Sequence, residues 1–82
     1  MNAKAEQDLL VYGRELCADT TRARAVLDAR AVPYRYIDVG VDEASRELAQ
    51  GLADGSAKIP VILLPGGRVL VEPSDAELTA AL

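Results

Sequence analysis

Histidine, tryptophan and phenylalanine are absent from this 82-residue sequence, and cysteine occurs once, at Cys17. Without histidine there is no imidazole base, no Cys–His dyad and few ways to assemble a zinc site, so no metal is expected. One cysteine cannot close a disulfide within the chain. A disulfide-stapled secreted scaffold is excluded, and stability must come from packing. A lone thiol stays reduced in the cytoplasm, which is the expected location. No apolar run approaches the roughly 20 residues that span a bilayer. Met1 to Asp8 hold no apolar stretch of the kind a secretory signal needs, and none is expected. Basic residues are in deficit too: 9 Lys and Arg against 13 Asp and Glu leave a net charge of −4. That balance argues against nucleic acid or an anionic membrane as partners.

What is present suits a small globular domain. Half the residues are hydrophobic and 27% are charged, enough for one core in a single domain over residues 1–82. Residues 1–7 read as a flexible N-terminal extension. Asp8 to Gly13 (DLLVYG) is a continuous apolar run ended by glycine, the pattern of a buried strand. From Cys17 to Arg30 the period becomes helical. Ala23, Val26 and Leu27 line one face, and Arg22, Arg24 and Asp28 are expected to face water. Pro33 stops that helix. Tyr34 to Val39 alternates and is rich in aromatic and β-branched residues, a second strand. Asp42 to Asp54 predicts a second helix, capped by Asp42, with Ala44, Leu48 and Leu52 on its apolar face. Ile59 to Leu64 is a third strand with Pro60 near its start. Pro65-Gly66-Gly67 turns the chain into a fourth strand, Arg68 to Val71. Ser74 and Glu77 have capping-box spacing at the start of a last helix.

The order β-α-β-α-β-β-α predicts an α/β fold, a four-stranded mixed sheet flanked by helices on both faces. One stretch carries a reactive group, Tyr12 to Thr20, with Cys17 at the junction of strand and helix. Backbone N–H groups at a helix start favour a thiolate there. Arg14 adds positive potential, and Glu15 and Asp19 oppose it. Two readings of the residue stand, a buried inert thiol or an activated nucleophile.

Strand, loop and Cys17 at a helix start, then Lys58-Ile59-Pro60 before an apolar strand, then Gly66-Gly67-Arg68 and Glu72-Pro73-Ser74-Asp75 resemble a glutaredoxin, most of all the mycoredoxin-type proteins, from about Asp8 to Leu82. The resemblance implies a thioredoxin-like fold and a set of roles. Cys17 matches the cysteine that attacks mixed disulfides. Ile59 precedes a proline, Pro60, that the family holds in cis, and its backbone pairs with the thiol ligand. Arg14 matches a basic position near the ligand carboxylate, and Ser74 and Asp75 match the helix start that holds the ligand's far end. Thr20 is counted with this ligand-binding set.

The sequence departs from the family pattern at Cys17-Ala18-Asp19-Thr20. The second cysteine is replaced by Thr20, which leaves only a monothiol cycle, and Asp19 stands where an aromatic is usual. The Cys-Gly-Phe-Ser motif of cluster-binding relatives is missing, so iron–sulfur binding is not expected. The implied function is thiol–disulfide oxidoreduction on protein mixed disulfides, part of cell redox homeostasis and electron transport. Its partners are a client protein and a low-molecular-weight thiol, glutathione or mycothiol-type, acting as cosubstrate and not as a bound cofactor. A monomer is expected. The alternative is a non-catalytic binding or interaction module on the same fold. A Cys17-bridged dimer or a sulfenate-forming sensor is a third reading.

Overall fold

The computed structural model describes residues 8–82; the expected extension at residues 1–7 lies outside them. Strand β1 (Leu9–Gly13) is central in a four-stranded sheet of order β2-β1-β3-β4. Its parallel neighbour is β2 (Tyr34–Asp38), with Leu9 opposite Tyr34 and Gly13 opposite Asp38. On its other side β3 (Val61–Leu63) runs antiparallel, Tyr12 facing Val61, and β4 (Val69–Val71) extends the sheet from β3. Helix α1 (Ala18–Ala29) crosses from β1 to β2, α2 (Glu43–Leu52) leads from β2 toward β3, and α3 (Asp75–Ala81) ends the chain. The expected element order and mixed sheet are what the structure has, a thioredoxin-like fold.

The unbroken apolar run of β1 follows from its place in the sheet. Side chains alternate between the two faces of a strand, and both faces here are covered. Leu9 and Val11 join Ala23 and Leu27 of α1 and Leu78 of α3 in one buried cluster. Tyr12 joins Val39, Ala49, Ala53 and Val61 in a second cluster across the sheet, with Leu10 packed against it. Helices α1 and α3 thus share one face, and α2 covers the other. The β3–β4 hairpin closes through Gly67 N–H to Leu64 C=O at 3.0 Å. Gly66 and Gly67 both have positive φ, +98° and +102°, a region that glycine enters without steric cost.

Three local expectations are corrected. On α2 the buried residue is Ala49, followed by Ala53 just past its end, while Ala44 and Leu48 face solvent, Leu48 at 60% exposure. The helix is rotated so that small alanines lie on the sheet, against Tyr12 and Val61, where a leucine would hold it away. Asp42 stands at the N-cap of α2, yet its carboxylate accepts from the Ser45 hydroxyl at 2.6 Å and makes no cap bond to a backbone N–H. Arg24 does not extend into water. Its guanidinium lies 3.9 Å from the centre of the Tyr36 ring, and its Nε donates to the Tyr34 hydroxyl at 3.1 Å, a cation–π stack closed by a hydrogen bond.

Candidate functional site

The register of the sheet brings three segments to one edge. Gly13, the last residue of β1, is paired with Asp38 at the end of β2. Because Tyr12 faces Val61 in antiparallel register, Gly13 and Pro60 are the next positions on their strands, at the same end of the sheet. The carbonyl of Pro60 accepts from Glu72 N–H at 2.7 Å just beyond β4. The loop that carries Cys17, the Ile59–Pro60 peptide and the approach to Ser74 and Asp75 therefore share this end. The Ile59–Pro60 peptide is cis, as the resemblance implied, and Pro60 is fully buried.

Cys17 is the N-cap residue of α1, with extended backbone at φ −100° and ψ 117° and a half-buried side chain. An N-cap side chain ordinarily accepts from the first free amides of its helix. Here the N-cap is a thiol that makes no side-chain cap bond. The Thr20 hydroxyl first, then the Thr20 and Asp19 amides, favour the thiolate and pull the thiol below its ordinary range. Partial burial and the Asp19 carboxylate push the other way and are outweighed. The contest between helix start and Asp19, open in the sequence, is decided by Thr20.

Thr20 is 1% exposed, the single buried polar residue among the described residues. Its hydroxyl accepts from Arg14 N–H at 3.4 Å and is the largest influence lowering the Cys17 pKa. It is a support beneath Cys17 rather than a surface that a ligand touches. Gly13 makes room for it: a Cβ on Gly13 would stand 2.5 Å from Thr20 Cγ2 and 2.8 Å from its Oγ1. Sequence reasoning placed Gly13 only as a strand end, and the TyrGly–Thr spacing gave no sign of this contact.

The remaining candidates are arranged around that centre. Arg14 is exposed, with its side chain stem over Gly40, where an added Cβ would come within 3.1 Å of it. Leu16, just before Cys17, is fully exposed and has left-handed backbone at φ 66°. Glu15 lies 3.7 Å from Arg24. The same carboxylate approaches the Tyr36 hydroxyl without reaching hydrogen-bond geometry, and burial together with Glu15 pushes that phenol up to about 12. Ile59 is half-buried against the α2 side of the core. Ser74 and Asp75 are both occupied by protein partners. Ser74 Oγ accepts from Glu77 N–H at 3.1 Å while Glu77 Oε1 accepts from Ser74 N–H at 2.8 Å, the expected capping box. Asp75 accepts from Arg22 Nε at 3.0 Å, and the same guanidinium donates from Nη1 to Asp19 at 2.8 Å. Arg22 was expected only to face water.

Comparison with known proteins agrees with this arrangement. The glutaredoxin family model matches residues 9–69. The probable glutathione S-transferase BZ2 of Zea mays is 44% identical over 64 residues, which cover 76% of this chain and 26% of that protein. The chain thus spans about a quarter of that relative's length. A glutaredoxin from Archaeoglobus fulgidus superposes with a TM-score of 0.74 at 18% identity, over 98% of this chain and 90% of its own. Actin interacting protein 5 superposes with a TM-score of 0.64 at 20% identity, over 92% of this chain and 86% of its own. At such identities the two structures speak for the fold alone. No helix among the described residues is long and apolar enough to cross a membrane. The family match takes in Cys17, Thr20, Ile59 and Pro60 on a thioredoxin-like frame, and the chain belongs to the glutaredoxin family.

Proposed function

We propose that the chain is a monothiol thiol–disulfide oxidoreductase that reduces protein mixed disulfides through Cys17. The observation that carries the reading is the half-exposed sulfur at the N-cap of α1, where the Thr20 hydroxyl and the first amides of the helix favour the thiolate. A thiolate so held is an attacking and a leaving group. In the first step Sγ attacks the sulfur of the low-molecular-weight thiol in a client's mixed disulfide. The old S–S bond breaks, the client leaves as a thiolate that takes a proton from water, and Cys17 carries the small thiol. A second molecule of that thiol, as its thiolate, attacks the small-thiol sulfur. It departs as the symmetrical disulfide and returns Cys17 as thiolate. The incoming thiol is oxidised as the client sulfur is reduced, and no second cysteine is needed, in keeping with Thr20 at the fourth position of the motif.

The fully exposed Leu16 beside the sulfur suits a protein client, since an apolar side chain in that place gains by being covered. Glutathione and a mycothiol-type thiol are the candidate cosubstrates, and a reducing compartment such as the cytoplasm is the setting in which this cycle turns. The test is a mixed-disulfide reduction assay with each thiol beside iodoacetamide labelling of Cys17 against pH. The expected result is transfer activity that Cys17→Ser abolishes, and a labelling midpoint below about 8.5, the ordinary cysteine value. Full activity in Cys17→Ser overturns the proposal. A midpoint at or above the ordinary value, with no transfer, assigns the chain to binding without catalysis.

A further inference from the structure

Arg22 joins two elements that meet beside the sulfur. Its Nη1 donates to Asp19 Oδ1 at 2.8 Å in the first turn of α1, and its Nε donates to Asp75 Oδ1 at 3.0 Å at the start of α3. The Asp19 carboxylate acts directly on the Cys17 thiol, pushing its pKa up against the groups that lower it. Two carboxylates and one guanidinium therefore form a continuous charged rim on the α1–α3 side of the thiol, and all three side chains remain substantially exposed, at 38% to 56%. One cation neutralises one of the two anions. The rim keeps one negative charge in excess.

The other charged groups at this end do not reverse that sign. Arg14 and Lys58 are exposed cations on the loop after β1 and the segment before β3, and Glu72 is an exposed anion after β4. Glu15 is paired with Arg24, Asp38 accepts from Gly40 N–H, and Glu77 is held in the cap of α3. The whole chain is acidic as well, at −4.

We propose that the Asp19–Arg22–Asp75 bridge determines the charge specificity of the Cys17 site, selecting thiols whose far end is cationic or uncharged over thiols whose far end is a carboxylate. The inference rests on the proposed function of Cys17 and names its cosubstrate class. An arriving carboxylate meets the excess anion of the rim, and the rim's own guanidinium, Arg22, is already bonded on two sides. An ammonium meets two carboxylate groups that each keep a free face. Of the candidate cosubstrates, glutathione carries a net negative charge and a sugar-based thiol of the mycothiol type carries none, so the bridge favours the latter.

The test measures the rate of Cys17 mixed-disulfide formation with three symmetrical disulfides: cystamine (cationic), bis(2-hydroxyethyl) disulfide (uncharged) and 3,3′-dithiodipropionate (anionic). Each rate is divided by that of N-acetylcysteinamide with the same disulfide, which removes differences in leaving group. In each reaction Sγ attacks one sulfur, the S–S bond breaks, and the other half leaves as a thiolate that is protonated by water. At low salt the corrected rates fall in the order cationic, uncharged, anionic, with about tenfold between the extremes, shrinking as salt screens the rim. In Arg22→Gln the ratio widens. In Asp19→Asn and Asp75→Asn it approaches one, and in the double variant, where Arg22 stands alone, it inverts. Shifts in opposite directions cannot come from a common loss of folding, which circular dichroism checks in each variant. Equal corrected rates in the parent protein, or a ratio that the carboxamide variants leave unchanged, overturn the inference while the proposed function stands. A folded protein whose Cys17 reacts with none of the three overturns the proposed function and the inference with it.

Discussion

Two helices begin at the same end of the sheet, and they treat their first amides in opposite ways. Helix α3 is closed by its own side chains: Ser74 and Glu77 bond each other's backbone N–H at 3.1 and 2.8 Å. Helix α1 has no oxygen cap at all. Its N-cap is a cysteine that makes no cap bond, and the first amides of the helix lower the pKa of its thiol instead. A sealed start adds stability, because it satisfies groups that a helix end otherwise leaves to solvent. An open start turns the same unsatisfied donors into support for a thiolate. The comparison teaches where to look for chemistry in a small domain: at the helix start that forgoes its cap.

The largest effect is expected beneath the open start. Gly13→Ala places a methyl group 2.5 Å from Thr20 Cγ2, inside the core and against a residue with no space to retreat. Overpacking of this kind costs about 1–3 kcal/mol, and the displaced Thr20 hydroxyl loses Cys17. Urea unfolding and iodoacetamide labelling should change together. A stable Gly13→Ala protein with unaltered labelling would separate Thr20 from the thiol and break the comparison. Thr20→Val comes next, since it keeps the shape and deletes the hydroxyl. A hydrogen bond to a charged group is worth about 1.5–3 kcal/mol, so labelling below the midpoint should slow by about tenfold or more. Thr20→Ser should retain most of the parent rate.

Ser74→Ala opens the sealed start. Loss of a serine cap costs about 1 kcal/mol, read as a lower urea midpoint and earlier fraying around Leu78. The Cys17 labelling midpoint should move far less than in Thr20→Val. An equal movement would mean that the two starts are one coupled unit.

Much of this contrast was legible in the sequence. The spacing Ser74-x-x-Glu77 and the placement of Cys17 at a strand–helix junction are local features, written within a few residues. The order of elements was legible for the same reason, since the run of β1, the alternation of β2 and the glycine turn before β4 are each short-range patterns. Apart from the Asp42 cap, lost to the Ser45 hydroxyl three residues on, the failures are of longer range. Helix α2 carries two competing apolar stripes, and residue size favoured Leu48, but the distance between helix and sheet selected Ala49 and Ala53. Arg22 and Asp75 are 53 positions apart, and nothing near either residue announces the other. Thr20 looked like a lost cysteine because its burial depends on Gly13 across the strand–helix junction. Arg24 looked solvated because its partners, Tyr34 and Tyr36, belong to the next strand.

That cluster also holds the loop entering the open start, and it has a pH signature. The Tyr36 phenol is raised to about 12 by burial first and by Glu15 second, above the ordinary value of about 10. A group whose pKa is higher in the folded state than in the unfolded state stabilises below the unfolded value and loses that contribution as pH rises toward the folded one. Stability should therefore decline from about pH 10 toward 12, and Tyr36→Phe should flatten that part of the profile. A decline of the same size in Tyr36→Phe would place its cause elsewhere.

The smallest effects lie in the approaches to the two starts. Leu16 leads into Cys17 at φ 66° and Glu72 leads toward Ser74 at φ 49°, both left-handed and neither glycine. Such backbone costs an ordinary residue on the order of 1 kcal/mol, and glycine relieves it while making the unfolded chain more flexible. Leu16→Gly and Glu72→Gly should each change stability by less than about 1 kcal/mol, in the stabilising direction. Function should separate them. Glu72→Gly keeps the N–H that bonds Pro60 C=O at 2.7 Å, so its labelling and transfer rates should match the parent. Leu16→Gly keeps the helix start intact, so labelling by small iodoacetamide should also match, yet it removes the one large apolar side chain exposed next to the sulfur. Transfer from a protein mixed disulfide should then slow relative to transfer from a small disulfide. If both substrates slow alike, the left-handed turn at Leu16 is tuning the sulfur itself, and the open start extends one residue further back than the helix does.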